Sequence, residues 1–153
     1  MDSPRAHFGI RFSLLARRWR RALDARLAEA GLSDATWVPL VHLKESGGGI
    51  TQKHLAALVG IDGSSLVRLL DILCRRGLVE RRVDTTDGRV RLVSLTEAGD
   101  RRVADIRAEL AKSEAEMLAD LTDTDLTLML GHFERIDRRL QAMQTRHKPE
   151  AGQ

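Results

Sequence analysis

The side chains best placed to do chemistry in this 153-residue chain lie close together in its middle third. Ser64, Ser65 and Arg68 occupy the start of a segment whose Leu66, Leu69 and Leu70 mark one apolar helix face, and they fall on the other faces. A serine hydroxyl can bond a phosphate or a base edge, and a guanidinium can bond two acceptors of guanine at once. A helix N-terminus at this point also favours a phosphate. Some twenty residues on, Arg89 and Arg91 stand beside Gly88, a mobile cationic finger suited to the negative potential of a narrow minor groove. Gln52 and Lys53, at the start of the preceding helix, are expected phosphate contacts. The competing reading is that Ser64 and Ser65 only cap a helix and that Arg68 is solvated.

Other chemistries find little support. Ser64 and Ser65 lack a nucleophile-elbow context, and Gly47-Gly48-Gly49 lacks the Lys-Ser/Thr that completes a phosphate-binding loop, so no enzyme and no catalytic residue is expected. His7, His42, His54, His132 and His147 are scattered with no HxxxH pair, and there is one cysteine, so no metal site or cofactor is expected. That cysteine, Cys74, is the one candidate for a thiol-redox switch. Neighbouring arginines would lower its pKa, while burial would raise it and block access. A winged helix that binds another protein is a further alternative, but its polar, cationic face lacks the aromatic or Met anchors of a protein hot spot.

Composition narrows the partner. The net charge is +3, with basic residues in excess over residues 1–91 and acidic ones over 92–153. A basic front suits a polyanion. Aromatics are 3% with no Tyr, too few for the stacking platforms of single-strand or RNA binders, which leaves double-stranded DNA. No apolar run approaches a membrane span and no apolar signal core follows the polar start, so no membrane association and a cytoplasmic location are expected.

The elements that must position these residues are legible as periodicities. Phe8, Phe12, Leu15, Trp19, Leu23 and Leu27 predict a helix over 8–29, ending at Gly31. Ser33 or Asp34 is the expected cap of a second helix to about Lys44, with Pro39 near its first turn. Ser46-Gly47-Gly48-Gly49 reads as a flexible break. A short helix over 51–59 and a longer one to Arg76 meet at Gly60, where Ala56 permits close approach and Ile61 fills the corner, the layout of a helix-turn-helix. Leu78–Val83 and Val90–Leu95 are strand candidates, and Asp87-Gly88 between them is a hairpin signal that would make a wing. Thr96 caps a long helix to about Leu121. Thr122-Asp123-Thr124-Asp125 starts a last helix whose Leu126, Met129, Phe133, Ile136, Leu140 and Met143 form a heptad seam. The expected class is mainly α with a small β wing, a winged helix-turn-helix flanked by long dimerisation helices. Its expected parts are residues 1–32, 33–95, 96–146 and a frayed tail 147–153, in one intertwined domain.

These motifs resemble the MarR family of transcriptional regulators. Gly60-Ile61-Asp62-Gly63-Ser64-Ser65-Leu66-Val67-Arg68 is similar to its recognition-helix entry. Arg75-Arg76-Gly77-Leu78-Val79-Glu80-Arg81 is similar to its exit into the wing, and Asp87-Gly88-Arg89 with Leu92-Val93-Ser94-Leu95-Thr96-Glu97-Ala98-Gly99 to its wing. Trp19 with its flanking arginines, and Thr36-Trp37-Val38 with Leu40, resemble the SlyA-like branch. The departure is Gly63-Ser64 where that branch commonly has Gln-Pro. The resemblance spans about residues 10–143. It implies a homodimer with interlocked first and last helices, reading a palindromic operator with two winged helices, acting as a repressor. It also implies a small aromatic or phenolic acid effector, at Arg17 and Arg20 of the first helix and Trp37 and Val41 of the second. A guanidinium can hold a carboxylate in two parallel bonds and an indole offers a flat apolar wall. His42 turns about 100° from Val41 and is left out.

Overall fold

The computed structural model describes residues 3–32 and 35–146, so the expected caps Ser33 and Asp34 and the expected frayed tail lie outside the described residues. The chain divides into two compact units, residues 1–114 and 115–153.

In the first unit α1 (Pro4–Glu29) begins earlier than the apolar spacing suggests. Ser3 accepts from the Arg5 amide at 3.3 Å, and Pro4 fills the first helical position, where its missing N–H costs nothing. Only Leu23 and Leu27 of α1 are buried. In α2 (Trp37–Ser46) residues Trp37, Val38, Pro39, Leu40 and Leu43 are all buried. Gly47, Gly48 and Gly49 do not form a loose break: all three have positive φ, a left-handed run open only to glycine at little cost. The run delivers Ile50–Thr51 as a strand, β1, that the sequence did not announce. The Gly49 amide already donates to the Val93 carbonyl at 2.9 Å.

After β1 come α3 (Gln52–Val59), α4 (Gly63–Arg75), β2 (Val79–Val83), β3 (Arg91–Leu95) and α5 (Glu97–Met117). The sheet order is β1-β3-β2, antiparallel throughout, with Ile50 and Arg81 on either side of Val93. The hairpin forms, but not through a tight Asp-Gly turn. Residues 84–90 make a longer loop and Gly88 is not among the positive-φ glycines, so the two-residue turn that needs it is absent. Instead Asp84 accepts from the Thr86 amide and hydroxyl, at 3.0 and 2.9 Å, and Asp87 accepts from the Arg89 amide at 3.0 Å.

The core joins Leu27, Leu40, Leu43, Leu55, Leu66, Leu70, Leu73, Val93, Val103 and Ile106, all fully buried. Each such side chain contributes roughly 1.5–3 kcal/mol. Thr96 fastens the start of α5: its hydroxyl accepts from Gly99 at 3.0 Å and donates to the Gly77 carbonyl at 2.6 Å. The amide of Thr96 donates to Leu78 at 3.1 Å. α5 ends at Met117, short of the expected Leu121, because turn bonds such as Leu121 to Leu118 at 2.9 Å take over.

In the second unit α6 (Asp123–Arg146) opens with the expected reciprocal cap. The hydroxyl and amide of Thr122 donate to Asp125 at 2.7 and 2.9 Å, and the Asp125 amide returns to the hydroxyl at 3.2 Å. No residue of α6 is buried. Among the described residues no helix is long and apolar enough to cross a membrane, and no group of three or more His, Cys, Asp and Glu side chains could hold a metal ion.

Candidate nucleic-acid interface

The helix-turn-helix is built by two caps and one glycine. Thr51 caps α3 by accepting from the His54 amide at 3.0 Å. Gly60 ends it at φ +78°, and the amides of Gly60 and Ile61 both donate to the Ala56 carbonyl, at 2.9 and 3.2 Å. Asp62 then caps α4. Ala56, Leu55, Leu66 and Leu70 are buried between the helices. That burial fixes which side of α4 faces out: Ser64, Ser65, Val67, Arg68 and Asp71 are exposed.

The expected reading residues Ser64, Ser65 and Arg68 thus share the outer side of α4. The hydroxyls of Ser64 and Ser65 donate to the two Asp62 carboxylate oxygens, each at 2.7 Å, and the Ser65 amide donates to Asp62 at 2.8 Å. These bonds, that of the Ser64 hydroxyl foremost, hold the Asp62 carboxyl well below the usual carboxylate range. On the single chain this helix end, where a phosphate contact is expected, is capped by the Asp62 carboxylate. Gln52 is half-buried and Lys53 exposed in the first turn of α3.

On the wing, Arg89 is 94% exposed, with its Nε 3.5 Å from Asp87. Arg91 lies back over the loop, its guanidinium donating to the Gly88 carbonyl at 3.4 Å. Arg89 is thus the extended cation and Arg91 a support for the loop beneath it. Two residues that face this surface were not singled out from sequence. Val67 is an exposed apolar side chain among the polar ones, of the kind that packs on a thymine methyl. Arg81, on β2, donates to Asp71 at 2.8 Å and to the Val67 carbonyl at 3.3 Å, tying the wing to α4. Its Nε is buried without a partner among the described residues.

The expected effector residues are partly brought together. The Arg20 guanidinium lies 4.6 Å over the Trp37 ring. Both side chains also donate to Asp24 Oδ1, Arg20 at 3.2 Å and Trp37 at 2.8 Å. The indole is 6% exposed, so Arg20 and the core already cover it. Val41 is half-buried one turn along α2, and Arg17 is exposed one turn back on α1. His42, set aside from sequence, stands near this cluster: burial, and then the charge of Arg20, push its pKa down. Cys74 is half-buried on α4.

Comparison with known proteins bears on this arrangement. A family model described as MarR family matches residues 30–90. The solved structure of the transcriptional regulator PA3341 is 36% identical, with a TM-score of 0.79 over 88% of this chain and 98% of that one. CouR from Rhodococcus jostii RHA1, solved bound to p-coumaroyl-CoA, is 29% identical, with a TM-score of 0.73 over 89% of this chain and 95% of that one. The transcriptional regulator SlyA shares the fold, at 22% identity and a TM-score of 0.71 over 84% of this chain and 93% of that one. With its helix-turn-helix and wing in the family's order, and a 36% identical regulator aligned over nearly its whole length, the chain belongs to the MarR family of DNA-binding transcriptional regulators.

Proposed function

We propose that the protein is a cytoplasmic homodimer that reads a palindromic operator with two copies of α4, represses from it, and is released by a small aromatic acid. The observation that carries the reading is the pairing of a polar, cationic outer face on α4 and the wing with an apolar seam exposed on α6. On the single chain Met129, Leu140 and Met143 of that seam are 38, 51 and 55% exposed. An apolar stripe of that length on a helix that buries nothing of its own is matched by a second copy of itself. A two-fold dimer sets two recognition helices about one DNA turn apart. In this reading residues 1–32 and 96–146 serve dimerisation and residues 33–95 bind DNA. Ser64, Ser65 and Arg68 contact bases, Gln52 and Lys53 contact phosphates, and Arg89, braced by Arg91, enters the minor groove.

The effector reading places the acid at Arg17, Arg20, Trp37 and Val41. The p-coumaroyl-CoA held by CouR supports an aromatic acid or its thioester as the class. Because Asp24 already accepts from Arg20, Arg17 is the cation open to an incoming carboxylate. Arg17→Ala should abolish release by p-coumaric acid and p-coumaroyl-CoA while sparing DNA affinity; an unchanged response removes the assignment.

Selection from a pool of random duplexes, with the mass of the complex measured by light scattering, tests the whole reading. An enriched palindrome with half-sites about one turn apart, bound by two chains, is expected. Weak, salt-sensitive binding without enrichment, or a monomer on DNA, refutes it.

A further inference from the structure

We propose that Val67 reads a thymine in each operator half-site, its side chain packing on the C5-methyl group of the base beside the base pair that Arg68 contacts. The inference rests on the placement of α4 in the major groove proposed above.

Val67 is the one large apolar side chain of α4 that stands exposed, at 38%, while Leu66, Leu70 and Leu73 are fully buried. It lies in the second turn of the helix, beyond the capped end. Ser64 is one turn before both Val67 and Arg68, and Asp71 is one turn after both, so the four exposed residues form one contiguous patch. A lone apolar side chain is ordinary on a solvated surface, but this one sits inside the patch that meets base edges. The wing holds its backbone and leaves its side chain outside: Arg81 reaches across from β2 to the Val67 carbonyl at 3.3 Å and to Asp71 at 2.8 Å. A valine in a helix keeps essentially one side-chain rotamer, so with the backbone held its two methyl groups are fixed before DNA arrives.

The patch thus offers a donor at Arg68 and, about 100° round the helix, an apolar surface at Val67. In the major groove only thymine turns a methyl group toward the protein. Guanine, adenine and cytosine present ring-nitrogen, carbonyl or amine groups at their edges, and against Val67 these would lose water with no hydrogen bond in exchange. Thymine instead buries its methyl group against those of the valine. Each half-site therefore pairs a guanine at Arg68 with a thymine next to it at Val67.

The test uses the operator recovered by the selection, rebuilt with uracil in place of one thymine at a time in both half-sites. Uracil keeps every hydrogen-bonding group of thymine and lacks only the methyl group. At one position the native chain should bind the uracil duplex more weakly by on the order of fivefold per half-site, roughly 25-fold for the palindrome. Val67→Ala should bind the thymine and uracil duplexes nearly alike and keep the guanine preference. Alanine favours the helix and no fully buried side chain is removed, so the fold is retained, and melting temperatures check this. A half-site without thymine, a native chain indifferent to uracil at every position, or a uracil effect that survives Val67→Ala overturns the proposal. If Arg68→Ala relaxes a base preference while Val67→Ala leaves the uracil effect in place, only the Val67 assignment falls. If neither substitution alters the motif, the groove placement of α4 falls as well.

Discussion

Gly99→Ala should destabilise the protein although it places a better helix former in a helix. Gly99 is the third residue of α5, and propensity alone gives alanine an advantage of about 1 kcal/mol there. A Cβ at this position would stand 2.0 Å from the Leu78 carbonyl oxygen and 3.2 Å from a Leu95 methyl. Even a close C–H···O contact needs about 3.3 Å, so the backbone would have to part by roughly 1 Å. It is poorly free to do so. The Leu78 carbonyl accepts from the Thr96 amide at 3.1 Å, and the neighbouring Gly77 carbonyl accepts from the Thr96 hydroxyl at 2.6 Å. Overpacking costs about 1–3 kcal/mol and losing one of these bonds about 1 kcal/mol more. Against the propensity gain, the net loss is about 2 kcal/mol, a fall in melting temperature of roughly 4–8 °C for a chain of this size. Thermal melts followed by circular dichroism measure it, with Gly63→Ala, where a Cβ meets open space, as the control expected to change little. A melting temperature for Gly99→Ala equal to or above the native value would refute the close approach of α5 to the turn before the wing.

Arg68→Ala should cost about 1–3 kcal/mol on the operator and relax one base preference, read by competition binding against single-base operator variants. Lys53→Ala should weaken all sequences alike and reduce the salt slope by about one; a sequence-dependent loss would move Lys53 off the phosphates. Arg81→Lys keeps the charge but not the two-pronged hold on Asp71 and Val67, so amide exchange in β2 and β3 should quicken while the base preference stays the same; unchanged exchange would show that the clamp is idle. The Asp125 carboxyl is held below its usual range by the Thr122 hydroxyl and amide, so the stability it lends is complete above the unfolded carboxylate pKa of about 4 and is lost as pH falls through the lowered folded value. Asp125→Asn should therefore lose less melting temperature than the native chain between pH 5 and pH 2, and equal losses would refute the assignment.

The sequence by itself determined the parts whose physics is local. The caps at Thr96 and Thr122 act within three residues of their partners, and the turn at Gly60 needs only its own φ. Apolar spacing shows which face of α4 is buried, and hence that Ser64, Ser65 and Arg68 lie outside. The tertiary structure decided what depends on the path of the chain between distant residues. β1 is two residues long, too short for any periodicity, and exists because β3 pairs with it some forty residues later. Gly99 looks like a poor helix residue until Leu78 is laid against it. Arg81 reaches α4 only because the hairpin folds back on that helix. Arg20 and Trp37 donate to one oxygen of Asp24 because α1 and α2 meet there, a contact that no local spacing predicts. The Ser64 and Ser65 protons stand between the two cases. Their distance from Asp62 is local, but only the geometry of the first turn of α4 shows both hydroxyls given to one carboxylate.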